Sequence, residues 1–339
     1  MNRLFPLISG FLILLLSAST CEEDLDFNQP DPAPKLVVIS NFTNDRALQV
    51  QVTRSRSVLD NAPEEYISNA RVWLMEGDLT LEELKLVIPQ NTKEGPYFTT
   101  VSSRPEVGID YTIRVEAPGF ETVEAQSSIP PKINLTAFRI DKIEMEQVPE
   151  SSLERYYFTV SVSFHDNPDE RNYYHLILYQ KINDYIELDG DTVIVDSRLY
   201  PVYFSKSINS NYITAHLSGG LLLEDDPLNG NYTFRFSADI DPEMQLISKL
   251  FVDLRTVSDD YYFYYRSLSR IKDADNGGFF GDPVILYNNI LNGHGNFAGF
   301  SQSQDSLLVV FRQVGTSRAC TDEFPFSGAI AEVAFDPLG

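Results

Sequence analysis

The sequence predicts a mainly β protein made of two antiparallel β-sandwich-like domains in tandem, the second with one tyrosine-rich helix. Three observations support this fold class. Apolar residues recur at every second position in many short segments, clusters of Asn, Asp, Gly and Pro separate these segments, and only one stretch has clear helical spacing. Strands that follow one another without intervening helices favour antiparallel sandwiches.

The first domain is predicted to cover residues 35–130. Segments 36–39, 48–52, 70–74 and 111–115 run apolar or alternate, as strands do. Residues 79–86 mix acids with leucines and compete as a helix, but we interpret them as an excursion between strands. Pro130 and Pro131 end the domain because two adjacent prolines cannot both donate to a β-ladder.

The second domain is predicted to cover residues 131–339. Residues 156–164 alternate, a turn signal follows at 166–169, and residues 173–179 return as an apolar run, so we predict a hairpin. Residues 225–230 predict a further turn, which leads into an alternating strand.

The helical stretch begins at Ser258, which can cap it. Its core face is predicted to hold Tyr261, Tyr264, Tyr265 and Leu268, which recur at three- and four-residue spacing. This arrangement leaves Tyr262 and Arg266 as the outward pair.

The first twenty residues have the zones of an export signal: Arg3, an apolar run over residues 4–16, and small residues just before Cys21. The run is too short for a spanning helix, which needs roughly 20 residues. Small residues directly before a cysteine resemble the bacterial lipoprotein signal. The resemblance implies that residues 1–20 are a lipoprotein signal peptide, cut before Cys21, with fatty acyl chains such as palmitate on that cysteine. Ordinary cleavage after Ser19, leaving a plain thiol, is the alternative.

Residues 21–34 are predicted to be an acidic, proline-rich tether. The whole chain has 26 Lys and Arg against 49 Asp and Glu, a net charge of −23, which repels nucleic acid and makes a nucleic-acid partner unfavourable. The run Glu22, Glu23, Asp24 resembles the signal that sends lipoproteins of the Bacteroidota to the cell surface. A solvated tether is the simpler interpretation of the same run.

The sequence contains two cysteines, Cys21 and Cys320. If Cys21 is acylated, Cys320 has no partner within the chain, so no disulfide is predicted. Cys320 is then most simply a small apolar core residue.

No catalytic motif, metal-ligand spacing or cofactor loop is found, so no catalytic residue, metal or cofactor is predicted. His294 is approachable because glycines flank it, although these glycines also suit a tight turn between strands. His165 and His175 would face each other on the predicted hairpin, where packing explains them better than zinc does. Ligand contacts are predicted for Tyr262, Arg266 and His294.

Two short segments fit the Asp-Ser/Thr-aliphatic pattern of O-glycosylation in Bacteroidota. They place the modified oxygen on Thr192 and on Ser306. Both segments also fit ordinary strand starts.

Several motifs resemble known families. Segments 68–74, 97–98 and 108–120 resemble the regulatory-like sandwich attached to exported carboxypeptidases, which implies a fold and an adaptor role. The acidic start, the tyrosine-rich helix and segments 166–174, 225–230 and 283–300 together resemble an uncharacterised family of Bacteroidota outer-membrane lipoproteins, known only as a domain of unknown function. That resemblance implies a TonB-dependent β-barrel transporter as partner.

We therefore expect a non-enzymatic lipoprotein, anchored by lipid in the outer membrane and facing the extracellular side. It would act as an accessory subunit of the transporter in nutrient capture or uptake. A free-standing adhesin or glycan-binding module is the alternative, and a hydrolase depending on His294 is a more distant one.

Overall fold

The computed structural model describes residues 33–57, 62–90, 94–166, 169–202, 204, 213–217, 219–224, 231–275 and 284–309. In these ranges one helix, α1, spans Asp259–Asp275. The strands are β1 Leu36–Phe42, β2 Gln49–Arg54, β3 Arg71–Glu76, β4 Leu79–Glu83, β5 Lys85–Val87, β6 Tyr97–Thr99, β7 Asp110–Glu116, β8 Val123–Ser128, β9 Leu135–Gln147, β10 Glu154–Phe164, β11 Tyr173–Leu188, β12 Asp191–Pro201, β13 Ile213–Leu217, β14 Gly220–Glu224, β15 Asn231–Ile240, β16 Gln245–Val257 and β17 His294–Leu308.

Three sheets account for these strands within the described ranges. The long sheet has the order β13-β14-β11-β16-β17-β1-β2-β6-β5, with β12 also beside β11. A four-stranded sheet has the order β4-β3-β7-β8, and a three-stranded sheet has the order β15-β10-β9. The predicted fold class, mainly β with antiparallel sandwich-like layers and a helix, is confirmed. Residues 79–86 are not helical, but they are strands and not an excursion between strands: they form β4 and the first two residues of β5.

The first sandwich forms between the four-stranded sheet and the β1-β2-β6 end of the long sheet. Alternate residues of β1 are buried, as expected for a strand with one face on the core. The shared core contains Val38, Val52, Val72 and Ile113.

The second sandwich forms between the three-stranded sheet and the β14-β11-β16 part of the long sheet. Strand β10 buries every second residue, and Phe158 stacks on Phe236 of β15 with ring centroids 5.0 Å apart. The first six residues of β11 are all buried, because the three-stranded sheet covers one face and α1 covers the other.

The predicted hairpin between residues 156–164 and 173–179 is wrong. Strand β10 pairs with β9 and β15, whereas β11 pairs with β12, β14 and β16. The two strands belong to different layers, and the turn signal between them marks a change of sheet. A local pattern identifies a strand but does not identify its partner.

Strand β17 joins the two sandwiches into one sheet, since it pairs antiparallel with β16 and parallel with β1. Gly295 has φ +120°, and a Cβ there would lie 2.0 Å from the carbonyl oxygen of Val38. Only glycine allows this close approach of β17 to β1. The division into domains at residue 130 stays a prediction.

Candidate functional site

A cleft of about 410 Å³ opens where the four-stranded sheet meets the N-terminus of α1. This volume lies within the range of roughly 300–1,000 Å³ that small-molecule sites occupy. The lining comes from the ends of β7, β8, β11 and β16 and from the first residues of α1: Asp110, Gln126, Ser127, Ser128, Pro130, Arg171, Asn172, Val257, Ser258, Asp259 and Asp260.

One wall of the cleft is the N-terminus of α1. The backbone N–H of Ser258 donates to the carbonyl of Gly299 at 3.0 Å, and the Oγ of Ser258 accepts from the backbone N–H of Tyr261 at 3.4 Å. Asp259 and Asp260 occupy the first turn, where the helix dipole stabilises negative charge. The predicted cap and the predicted helix are therefore confirmed.

Asp260 fixes this wall to two other parts of the molecule. Its Oδ2 accepts a hydrogen bond from the Oγ of Ser127 at 3.1 Å, and its Oδ1 accepts from the Oη of Tyr287 at 2.7 Å. Burial raises the pKa of Tyr287 and the hydrogen bond to Asp260 raises it further, so the phenol stays a donor. Helix α1, strand β8 and the segment of Tyr287 are thereby held together.

Arg171 lies on the rim of the cleft. Its guanidinium donates to Glu224 at 2.7 Å, and this hydrogen bond is the main cause that raises the pKa of Arg171. The guanidinium also lies 5.3 Å from the ring centroid of Tyr173, while its side chain keeps 65% exposure. The cleft thus offers a cation beside the carboxylates of Asp110 and Asp259, an arrangement that suits a small polar ligand with hydrogen-bond donors and acceptors.

Behind the cleft, a buried polar network attaches α1 to the long sheet. Nδ1 of His175 lies 2.8 Å from the Oη of Tyr261. Arg255 on β16 donates to Asp253 at 2.8 Å and places its guanidinium 4.7 Å from the ring centroid of Phe300. The side chain of Asp253 is only 4% exposed, so this ion pair lies inside the protein.

Burial sets the protonation of the network. It lowers the pKa of His175 well below its usual value, and the nearby Arg255 lowers it further, so the imidazole is neutral near pH 7. Burial alone would lower the pKa of Arg255, but Asp253 and Tyr261 outweigh that effect and raise it. Burial raises the pKa of Tyr261 and also that of Asp253, in the second case against the opposing effect of Arg255.

Tyr262 does not face outward, so that expectation is wrong. Its side chain is fully buried, its ring stacks on Tyr173 at 3.9 Å, and its Oη donates to the Oγ1 of Thr214 at 2.9 Å. The cause is that α1 is covered on two sides, because β13 lies on the side that helical spacing alone leaves open. Arg266 is half-buried and lies 5.7 Å from the ring centroid of Tyr262.

His294 lies apart from this pair. It is exposed at the start of β17, beside Val37, whereas α1 reaches β17 at Phe300. Six residues of strand separate the two positions, about 20 Å. The structure therefore brings Tyr262 and Arg266 together but leaves His294 elsewhere.

The other residues that the sequence singled out lie at separate places in the structure or outside its described part. Thr192 is exposed near the start of β12 and donates to Glu187 at 2.8 Å, and Ser306 is half-buried opposite Phe251. His165 is exposed, not facing His175 on a shared hairpin. Outside the described residues lie Cys21, Glu22, Glu23, Asp24 and Cys320.

Most residues that line the cleft could not be predicted from the sequence. Asp110, Ser127 and Arg171 come from three separate segments, and none has a local pattern that marks it. Only the acidic cap at Asp259 and Asp260 carried a signal, and that signal indicated a helix start.

Two further findings concern the described part of the chain. No group of three or more His, Cys, Asp or Glu side chains there is arranged to hold a metal ion. The helix found there is not long and apolar enough to cross a membrane.

Comparison with known proteins gives a family model that matches residues 22–306, described as a domain of unknown function, DUF4249. The chain belongs to the DUF4249 family. The matched DUF4249 range includes every residue that lines the cleft and all of α1. A search of curated proteins finds no match.

Among solved structures, the chain is similar to three N-terminal domains of the highly immunogenic outer capsid protein of bacteriophage RB49. The identity is 12% and the TM-score 0.18, over 66% of this chain and 63% of that one. It is also similar to the B domain of a biofilm-associated protein, with 8% identity and a TM-score of 0.14 over 81% and 86% of the two chains. The DUF4249 chain thus spans less than two thirds of the first of these structures, and TM-scores of this size do not establish a shared fold.

Proposed function

We propose that this DUF4249 protein is a non-enzymatic, surface-exposed outer-membrane lipoprotein of Bacteroidota that assists a TonB-dependent transporter in nutrient capture or uptake. Lipid on Cys21 anchors it, and Glu22, Glu23 and Asp24 direct it to the cell surface. The sandwich at residues 35–130 serves as a regulatory-like adaptor module.

The cleft at the N-terminus of α1 is the observation that carries the capture role. Its volume suits a small ligand, and carboxylate, guanidinium, amide and hydroxyl groups converge on it. Hydrogen bonds from Ser127 and Tyr287 hold the carboxylate of Asp260 in place. Because these side chains are already ordered, ligand binding does not cost the conformational entropy of fixing them.

The state of His175 supports binding over catalysis. Its Nδ1 is engaged by Tyr261, its ring is 7% exposed, and burial keeps it neutral. A general base must reach the proton that it removes, and this imidazole is sealed between α1 and the sheet.

A pull-down that preserves the native anchor tests the transporter role. The full chain is captured from gently solubilised envelopes, and the Cys21→Ala variant serves as the control. We expect a TonB-dependent barrel to copurify with the parent chain and to be lost with the variant. Recovery of the intact, lipid-bearing chain without any such barrel contradicts the proposal.

A free-standing adhesin or glycan-binding module is the alternative, and the polar lining of the cleft favours it because sugar hydroxyls both donate and accept hydrogen bonds. Binding of the full chain to a glycan array distinguishes the adhesin from the transporter subunit. Glycan binding that is lost in Asp259→Ala, together with a pull-down that yields no barrel, supports the adhesin.

A further inference from the structure

Strands β11 and β12 continue beyond the second sandwich as a ribbon, residues 182–200, in which β11 pairs with β16 as far as Asp184 and with β12 alone from Tyr185 to Leu188. The tip is a two-residue turn in which Asp189 has φ 54° and Gly190 has φ 89°. Leu188 and Asp191 pair across it. Two positive φ angles define a type I′ turn, whose twist matches that of the flanking strands, so the ribbon is a regular hairpin up to its tip.

The base of the ribbon is braced. The backbone N–H of Tyr185 donates to the carbonyl of Met244 at 2.7 Å, and its Oη donates to the carbonyl of Pro242 at 2.6 Å. The side-chain amide of Gln245 donates to Asp184 at 2.8 Å. These bonds fix the direction in which the ribbon leaves the sandwich.

Both faces of the ribbon present apolar side chains to solvent. Ile186 and Val193 pair on one face, with 49% and 39% exposure, and Ile194, beside Tyr185, lies on the other with 45%. The remaining exposed apolar residues are Leu188, Val195, Leu199 and Tyr200. Single exposed apolar residues are normal, but the three consecutive residues Val193, Ile194 and Val195 together with Ile186 and Leu188 of β11 form a cluster of the kind that marks an interaction surface.

The outer edge of β12 has no partner strand within the described ranges, since β12 pairs with β11 alone. An exposed, apolar edge strand presents unpaired backbone N–H and C=O groups, and so is a template for another strand. Ten of the eleven residues of β12 are exposed. A bulge beside Asp184 is the one irregularity in its pairing with β11.

Charge decides which strand can add there. Arg198 is held by Asp184 and Asp196, which leaves Glu187, Asp189 and Asp191 to make the tip negative. A second copy would bring the same negative tip, on a chain whose net charge is −23. A partner with cations is favoured on electrostatic grounds, and a second copy is disfavoured.

We infer that the β11–β12 ribbon docks an extended strand of a protein partner, in which apolar side chains alternate with Lys or Arg, along the outer edge of β12, which no described strand covers. Main-chain hydrogen bonds supply the pairing, and alternate side chains contact the two faces of the ribbon. This docking is independent of the transporter role, because it holds whichever protein supplies the strand.

Three synthetic peptides of eleven residues test the docking by fluorescence anisotropy against the full chain. The first alternates valine and lysine, the second alternates valine and glutamate, and the third repeats the valine–lysine sequence with every backbone nitrogen methylated. The third keeps the charge and the apolar side chains but has no backbone N–H to donate to a ladder. We expect the first peptide to bind at least about tenfold more tightly than either of the others, since the second loses the charge contacts and the third loses the ladder hydrogen bonds.

Charge-reversal variants at two places test whether peptide binding depends on the ribbon or on the acidic surface as a whole. Glu187→Lys with Asp191→Lys should weaken the valine–lysine peptide about tenfold or more. The matched control is Glu76→Lys with Asp78→Lys at the exposed β3–β4 turn, which should leave binding unchanged. Equal weakening in both variants, or equal binding of the N-methylated peptide, overturns the inference.

Sedimentation velocity decides between this strand and a second copy. The full chain should remain a monomer with and without the Val193→Lys change. A dimer that Val193→Lys dissociates would assign the edge to self-association and overturn the inference.

Discussion

The two halves of β11 belong to one strand but have opposite surroundings. Residues 173–180 are buried almost throughout, between the three-stranded sheet and α1, whereas residues 181–188 become exposed toward the tip. Residues 173–184 pair with β16 on one side, and most of them also pair with β14 or β12 on the other, whereas residues 185–188 pair with β12 alone. Side-chain burial and the β16 ladder are therefore lost together, and their loss separates a segment that stabilises the fold from one that offers a surface.

The largest effect is expected when a charge is removed next to the buried half of β11. Asp253, opposite Ile177 of β11, neutralises Arg255. We expect Asp253→Ala to lower the free energy of unfolding by about 3–5 kcal/mol, because it leaves a buried guanidinium without its carboxylate. Urea unfolding measures the loss.

The matched control is the exposed pair of Arg155 and Asp239 on the three-stranded sheet. Asp239→Ala should reduce stability by less than about 1 kcal/mol, since water screens the remaining charge. Similar losses in both variants would mean that burial does not distinguish the two pairs.

The second test is the pH dependence of stability. Burial, and then Arg255, lower the pKa of His175 in the folded chain, so below the unfolded pKa of roughly 6.5 the unfolded state binds a proton that the folded state does not. Stability is fully present above that pH and falls as the pH drops toward the lower folded pKa, by up to about 1.4 kcal/mol per pH unit. Urea unfolding at pH 7.5 and pH 5.5 should show this loss.

His175→Gln should remove the part of that slope that His175 contributes, because glutamine can still contact Tyr261 but does not titrate. His294→Gln, which lies outside the buried network, serves as the control. An equal slope in the parent chain and in His175→Gln would refute the assignment. Glu82 does not interfere: its pKa, lowered to about 2 by backbone N–H donors at residues 101–103 against the opposing effect of burial, affects stability only at more acidic pH.

The smallest effect is expected in the exposed half. Val193→Lys on the ribbon should change the free energy of unfolding by no more than about 0.5 kcal/mol, as surface substitutions usually do. The same urea titration measures it. A loss above about 2 kcal/mol would show that the tip is packed against something in the free chain and would remove the contrast.

Local patterns predicted most elements but not their partners. Alternation located β10 and a continuous apolar run located β11, and the cap at Ser258 located α1. The pairing of β10 and β11 with other strands depends on residues far away in sequence, so the hairpin prediction failed. Tyr262 was misplaced for a related reason: helical spacing defines one buried face, whereas β13 buries a second.

The turn at the tip of the ribbon has a local signal in the sequence. Asp189-Gly190 between apolar runs is a strong mark of a two-residue hairpin, and the structure has that turn. The cleft had no comparable signal. Its side chains converge only after β8, β11 and α1 have packed, and residues such as Ser127 and Arg171 are unremarkable in their own segments.

The parallel pairing of β1 with β17 also constrains the order in which the molecule can form. Val37 and His294 are neighbours in the sheet although more than 250 positions separate them along the chain. Closing so long a loop is entropically costly, and topologies rich in such contacts fold slowly. Until β17 arrives, β1 keeps an open edge and the core around Phe297 lacks a wall. We therefore expect late acquisition of protection against hydrogen exchange at β1, and a folding intermediate that is prone to aggregate before the long sheet closes.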